Sequence, residues 1–454
     1  MATVANKNDM TSAPIFKSLI AFAIPIALSN FFQQFYSAVD GMVLGAFVGG
    51  EALSATNVST ILGLLICLFI GLGSGAGVVV ARFFGAKDDA GVSRAVHTAL
   101  FVSLISGAVL TVGGLIISRP VLILMGYDFG ENVLELSNTY LSIIFAGMVP
   151  RLVYNIAAGI LRAVGESKKS FYYLVAGGIT NIVLDLLFVA LFKWGVAGAA
   201  LATVISESLS AFLCILHLWR TNESYKFSLK RFKMDKTMLF SIVKIGLPMG
   251  FLSMAYHLPN TLLQKSINGF ASELGVGVMA GGTAYSKISN FIDVAISSVE
   301  TAVTTFVSQN IGAGKLDRVK KGARAGLVLS IGVSIVLMIL VFFIARPILA
   351  VLVKGDESSV YYGILKLWCI LPFYPIAAFT GVMGAVMQGG GATFEIMIQG
   401  LIFTCVVRML IIFFVLPFWH ELYVVYLTYP FTWLTQGISY IFYYKFGKWM
   451  KTRL

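Results

Sequence analysis

Few residues in this chain can do chemistry, and three pairs of them share one spacing. Tyr36 and Asp40, Asn181 and Asp185, and Thr203 and Glu207 each stand four residues apart inside long apolar runs. That spacing puts two side chains on one helix face, so three helices would each present a polar pair to a common interior. Carboxylates with an amide and a hydroxyl are hard oxygen donors, a set that suits a small hard cation such as Na⁺. The same carboxylates, dry and close together, hold a proton instead, and the residues leave both chemistries open. Further along, Asp293 and Glu300 stand seven apart, again on one face, with Lys265, Lys287 and Arg408 available as partners. An ionisable side chain at the centre of a membrane helix costs about 2.5–3.5 kcal/mol on insertion scales, which makes each a candidate functional group. No nucleophile–base pair, metal-ligand set or filter motif accompanies them, so the chain does not read as an enzyme or a channel.

The elements that must position these groups follow from composition. Of 454 residues, 58% are hydrophobic and 12% are charged, about half the roughly 25% charge of a soluble domain. The mean hydropathy of +0.88 describes a chain whose solvent is mostly lipid. Twelve apolar runs are long enough to span a bilayer as helices: about 15–40, 52–80, 92–118, 134–161, 169–192, 195–219, 238–266, 276–308, 324–346, 358–387, 394–418 and 422–444. The expected fold is therefore an all-α integral membrane protein. The loops after the even-numbered spans and the C-terminus carry 21 Lys and Arg, against four in the opposite loops. Basic loops stay inside, so both termini are expected in the cytoplasm. The net charge of +12 records this bias and forms no aromatic-interleaved basic patch, which excludes nucleic acid as a partner. The four cysteines all lie in apolar runs without metal-ligand spacing and read as core residues.

Landmarks recur at a nearly constant offset of about half the chain. Pro25 matches Pro248, 223 residues later; Gly85–Ala86 matches Gly312–Ala313, 227 later; Arg162-x-x-Gly165 matches Gln388-x-x-Gly391, 226 later. The chain thus reads as two pseudo-symmetric six-helix lobes, 1–219 and 237–454, joined by the basic cytoplasmic linker 220–236. Six spans per repeat give both lobes the same orientation, with binding expected near the midplane.

Several of these residues together resemble the multidrug and toxic compound extrusion (MATE) family, and its DinF-like branch most closely. They are Pro25, Asn30, Gln34 and Asp40; Ala81–Arg82-x-x-Gly85–Ala86; Arg162-x-x-Gly165; Asn181-x-x-x-Asp185; Gly198–Ala199–Ala200-x-Ala202–Thr203; and Ser308–Gln309–Asn310-x-Gly312–Ala313–Gly314. The resemblance covers essentially the whole chain. It implies a monomeric plasma-membrane antiporter that exports organic cations and other drugs against H⁺ or Na⁺, with no cofactor. It places the coupling network on Tyr36, Asp40, Asn181, Asp185 and Thr203, with Tyr140 and Asn155 as further members and Pro25 as a hinge in the first helix. Asp40, Asn181, Asp185 and Thr203 would hold Na⁺ if that is the ion. The chain departs from the family where other branches carry a Glu in helix 7, here Tyr256 or a neighbour, and in Glu207, which is often Gln. Asp293 and Glu300 remain candidates in the second lobe without a family role. A lipid-linked sugar flippase of the same superfamily is the alternative, and it would want more internal Arg and Lys than Arg151, Lys265, Lys287 and Arg408.

Overall fold

The structure is a computed structural model that describes residues 10–49, 55–56, 59–124 and 131–451, and every regular element among them is helical. The predicted start of the second span, at residue 52, lies outside the described residues. Twelve helices follow one another: α1 (Ile15–Phe47), α2 (Ser59–Gly85), α3 (Asp89–Leu124), α4 (Glu131–Ala146 continued by Met148–Ala163), α5 (Ser167–Asp185 continued by Leu186–Leu191) and α6 (Gly195–Arg220). Then come α7 (Lys236–Leu274), α8 (Gly277–Gly312), α9 (Leu316–Leu352), α10 (Glu357–Ile370 continued to Gly389), α11 (Thr393–Val415) and α12 (Leu422–Phe446). Ten of these are long and apolar enough to cross a membrane, and α4, bent by 50° at Gly147, makes an eleventh. The aromatic-rich α12, 25 residues long, completes the set. Large apolar side chains such as Val112 and Ile116 of α3 and Val336 and Phe343 of α9 point outward, the inversion that lipid permits and water does not. This is an all-α, multi-pass membrane protein of two six-helix lobes.

The landmarks that repeat in the sequence are helix closures. Gly165 and Gly391 both take left-handed backbone, with φ of 89° and 83°. In each closure the next residue donates back five positions, Glu166 to Leu161 at 2.8 Å and Ala392 to Met387 at 3.0 Å. That 6→1 bond is the signature of a glycine-terminated helix, in which only a residue tolerant of positive φ fits. After α2 and α8 the left-handed residues are Lys87 (φ 56°) and Gly314 (φ 70°), 227 residues apart.

The described residues form two compact units, and each takes in the first part of a helix that continues in the other. One unit holds Ile24–Gly250; the second holds Met10–Ala23 with Phe251–Leu454. The divisions fall beside Pro25 in α1 and Pro248 in α7, the two prolines the repeat aligns.

In the first unit the core runs through Val79, Val96, Ile160, Cys214 and Ile242. There α2 meets the start of α7 with almost no side chain between them. A Cβ added at Gly71 would lie 2.2 Å from the Gly250 nitrogen, and one at Gly75 would lie 2.5 Å from Gly246 Cα. Such small-residue seams let membrane helices approach at backbone distance. The linker before α7 is tied to α3 in the same unit. The Ser228 amide donates to His97 Nε2 at 3.0 Å, the Asp235 amide donates to Thr98 Oγ1 at 3.1 Å, and Arg94 reaches Asp235 at 3.6 Å.

In the second unit the core runs through Phe270, Tyr285, Leu349, Tyr374 and Tyr426. Arg318 donates to the carbonyls of Met10 and Ala13 at 3.0 and 2.7 Å, and Lys315 donates to that of Thr11 at 2.9 Å, which pins the residues before α1.

The seam makes a stability prediction. Gly75→Ala overpacks it and should cost about 1–3 kcal/mol. Gly113→Ala, where an added Cβ meets nothing within 4 Å, should match or exceed the parent. Thermal unfolding of both variants in detergent measures the difference, and equal midpoints would contradict the close-packed seam.

Candidate functional site

The candidate site in the first unit begins where α1 crosses α5. Gly178 leaves room there: a Cβ at that position would strike the rings of Phe32 and Tyr36, at 2.4 and 2.9 Å. One turn further along α1 from Tyr36 comes Asp40. Along α5, Asn181 and then Asp185 follow Gly178. The crossing therefore brings the carboxyl groups of Asp40 and Asp185 against one another. Asp185 is fully buried and Asn181 is 1% exposed. Both oxygens of Asp185, Oδ1 of Asp40 and both side-chain polar atoms of Asn181 are buried without a hydrogen-bond partner. Buried polar groups are otherwise almost always paired, which sets this cluster of carboxylate and amide oxygens and one amide nitrogen apart from the rest of the bundle. Directly after Asp185, α5 widens into a π-helical segment, Leu186–Leu191. Such segments free backbone groups and concentrate at functional sites.

Around the carboxylates stands a second polar layer. Tyr36 has Glu207, Arg151, Asp40 and Gln33 as neighbours, and Tyr140 on α4 faces Asp40, Arg151, Glu207 and Asp185. Arg151 and Glu207 form an ion pair, Nε to Oε1 at 3.2 Å. The bend at Gly147 sets up this pair, because Gly147 abuts Val204 of α6. Arg151 and Glu207 each lie about one turn beyond that contact.

The structure thus gathers Asp40, Asn181, Asp185, Tyr36, Tyr140 and Glu207 in one region. Thr203 donates to the Ala199 carbonyl at 3.0 Å and Asn155 to that of Arg151 at 2.9 Å, each within its own helix. Their oxygens therefore remain available as acceptors. Pro25 lies within a continuous α1, and the Ser29 hydroxyl donates to its carbonyl at 2.8 Å. Among the described residues no three or more His, Cys, Asp or Glu side chains are placed to hold a metal ion. A cation here would rest on two carboxylates plus amide and hydroxyl oxygens. The pairing of Arg151 with Glu207 is a tertiary contact between α4 and α6 that no local spacing signals.

In the second unit, Asp293 and Glu300 lie near one another on α8. Asp293 meets the Tyr374 hydroxyl, and the absence of a side chain at Gly381 makes room for the Glu300 carboxylate. Arg408 is not their partner. It donates to Asn260 Oδ1 at 2.9 Å and to Thr432 Oγ1 at 3.3 Å, and it stacks over the Tyr429 ring at 4.5 Å. Lys366, 6% exposed, sits over the rings of Tyr285 and Tyr426 at 5.0 and 5.6 Å.

A two-lobed helical bundle with buried, unpaired carboxylates at its interior is the frame of a membrane transporter, and the MatE family profile matches residues 25–187 and 239–426. The chain belongs to this family of transporters, and it is not an enzyme. It is similar to the probable multidrug resistance protein YoeA of Bacillus subtilis (strain 168), 28% identical over 385 residues, which cover 83% of this chain and 82% of that one. The multidrug export protein MepA of Staphylococcus aureus (strain MRSA252) is 26% identical over 396 residues, 86% of each chain. Among solved structures, a MATE protein in complex with MaL6 superposes with a TM-score of 0.88 at 23% identity, over 98% of this chain and all of that one. A MATE family transporter in an outward-facing conformation gives 0.88 at 22% identity, over 98% and 99%. These structures share the fold.

The Arg151–Glu207 pair yields a prediction. Removing one partner leaves a half-buried charge uncompensated and should cost up to about 3 kcal/mol, whereas replacing both with apolar residues should be close to neutral. A double-mutant cycle on Arg151→Met and Glu207→Leu, read by thermal unfolding, should show strong positive coupling. Additive losses would mean the two charges act separately.

Proposed function

We propose that this chain is a secondary antiporter of the DinF-like branch that exports drugs, organic cations foremost, in exchange for H⁺ or Na⁺. The observation that carries this reading is the adjoining carboxyl groups of buried Asp185 and half-buried Asp40 beside buried Asn181, with polar atoms that have no hydrogen-bond partner. Two adjoining carboxylates away from water repel unless a proton or cation sits between them. Loading therefore changes how firmly α1 and α5 hold together. The names of the relatives, multidrug resistance and export proteins, support drugs as the cargo. Aromatic side chains near acidic groups suit apolar cations through cation–π contact.

In this reading the lobes 1–219 and 237–454 alternate access to the two sides, with 220–236 as the linker. Pro25 supplies the bend in α1, because a proline removes one backbone hydrogen bond from a helix. The excess of Lys and Arg in the even-numbered loops supports an orientation with both termini in the cytoplasm, and the plasma membrane is the site that export of drugs would require. One charge moving down 100 mV supplies about 2.3 kcal/mol, roughly a fiftyfold substrate ratio.

The test is drug efflux in everted vesicles or proteoliposomes, with a pH gradient and a Na⁺ gradient imposed separately. Asp40→Asn and Asp185→Asn should insert normally, bind drug, and lose gradient-driven transport by at least tenfold. Thr203→Val should weaken transport driven by Na⁺ more than transport driven by H⁺. If Asp40→Asn still couples efflux to either gradient, the site is wrongly placed.

A further inference from the structure

The polar pairs of the first lobe have counterparts in the second, helix for helix. Tyr36 and Asp40 on α1 correspond to Tyr256 and Asn260 on α7; Asn181 and Asp185 on α5 correspond to Thr404 and Arg408 on α11; Thr203 and Glu207 on α6 correspond to Thr428 and Thr432 on α12. The offsets are 220, 223 and 225 residues. They fall two or three short of the 223, 226 and 227 that separate Pro25 from Pro248, Gly165 from Gly391 and the starts of α6 and α12, so the pairs correspond helix for helix and not position for position. The counterparts also meet in space within their own unit. Arg408 donates to Asn260 and to Thr432, and Thr404 adjoins the Tyr256 hydroxyl. The backbone is similar in part: a π-helical segment, Ile411–Val415, begins three residues after Arg408, as Leu186–Leu191 begins directly after Asp185, while α11 has a further one, Leu401–Val406, before Arg408.

The charge does not repeat. Where the first lobe sets two carboxylates against each other, the second has an amide, a threonine and a guanidinium. Arg408 is 4% exposed and takes part in none of the described ion pairs. Its charge is met by Asn260 Oδ1, Thr432 Oγ1 and the face of Tyr429, two neutral oxygens and an aromatic ring, as a bound cation would be. The first lobe also has an arginine nearby, Arg151, but Glu207 occupies it at 3.2 Å, so the charge of Asp40 and Asp185 is left for a mobile ion. Asp293 and Glu300, the acidic groups on α8, lie around Tyr374 and Gly381 and share Tyr429 and Tyr256 with Arg408 as neighbours, but neither forms an ion pair with it among the described residues.

We infer that Arg408 is a tethered cation filling the second lobe's counterpart of the Asp40–Asp185 site, so that this lobe loads no coupling ion there. The part that concerns loading rests on the antiport reading above; the part that concerns a filled cation site does not.

The first test is chemical rescue of the full-length, detergent-solubilised chain. Arg408→Ala should unfold several degrees below the parent, and millimolar guanidinium should restore at least half of the loss. Urea, the neutral isostere, should restore none, and the parent should respond to neither. Rescue by urea as well, or no rescue at all, would show that Arg408 fills space and carries no needed charge. Should Arg408→Ala fail to fold, Arg408→Lys and Arg408→Met make the same comparison, with Lys expected to retain more of the midpoint than Met; the reverse order overturns the inference.

The second test uses Asp40→Asn with Asp185→Asn and reads stabilisation by Na⁺ and proton uptake by the purified protein. With Arg408 intact no ion response should remain. Adding Asn260→Asp and Arg408→Asp should create one. An ion response in the first chain, or none in the second, refutes the loading claim. A lost ion response with a failed guanidinium rescue would leave the antiport reading standing and the tethered cation refuted.

Discussion

The cost of a charge among apolar helices governs this molecule. In lipid-facing bundles an ionised side chain has no water to fall back on, and each one must meet a partner, a cavity or an ion. The structure answers that demand in several ways. Arg151 meets a carboxylate, Glu207. Arg408 meets neutral oxygens and a ring. Lys366 rests between two tyrosine rings. Asp40 and Asp185 meet each other, two acids with no basic ion-pair partner among the described residues, and in the proposed function a proton or cation answers that demand.

Close backbone approach is what makes the demand geometrically sharp. Gly178 lets Phe32 and Tyr36 lie on α5, and only at that separation does Asp40 face Asp185. Gly147 breaks α4 and packs on Val204, and the break aims Arg151 at Glu207. The same device, at Gly71, Gly75, Gly246 and Gly250, brings the start of α7 into the first unit. The glycines that the sequence scatters through its apolar runs therefore act as the spacing elements of the polar network.

Much of this was legible in the residue order. Hydropathy located each helix, with ends that the structure extends or shifts by up to eight residues, as at α7 and α9, because lipid leaves a spanning segment little choice but a helix. The fourfold spacing picked out Asn181 and Asp185 as one face, and both are buried as that face requires. What local order did not carry was contact between helices. Arg408 reads as an available partner for Asp293 or Glu300, and it instead bonds across to Asn260 and Thr432. The Thr203 hydroxyl likewise donates to the backbone of its own helix, a common use of Thr inside helices that local order does not announce and that leaves its oxygen free to accept.

The two lobes also show which features of a repeat persist and which diverge. The glycine closures at Gly165 and Gly391 share φ, hydrogen bonds and position, because a left-handed helix end tolerates few residues. The π-helical segments after Asp185 and Arg408 recur in part. Side chains at matched positions carry no such constraint, provided the charge each one brings is met locally. In the reading proposed above, a carboxylate pair that takes a visiting cation and a guanidinium that supplies its own are two solutions of one electrostatic problem on one backbone. In that reading the first can be emptied and refilled and the second cannot, so an asymmetric division of labour between pseudo-symmetric lobes needs only a handful of substitutions, with the scaffold that positions them left unchanged.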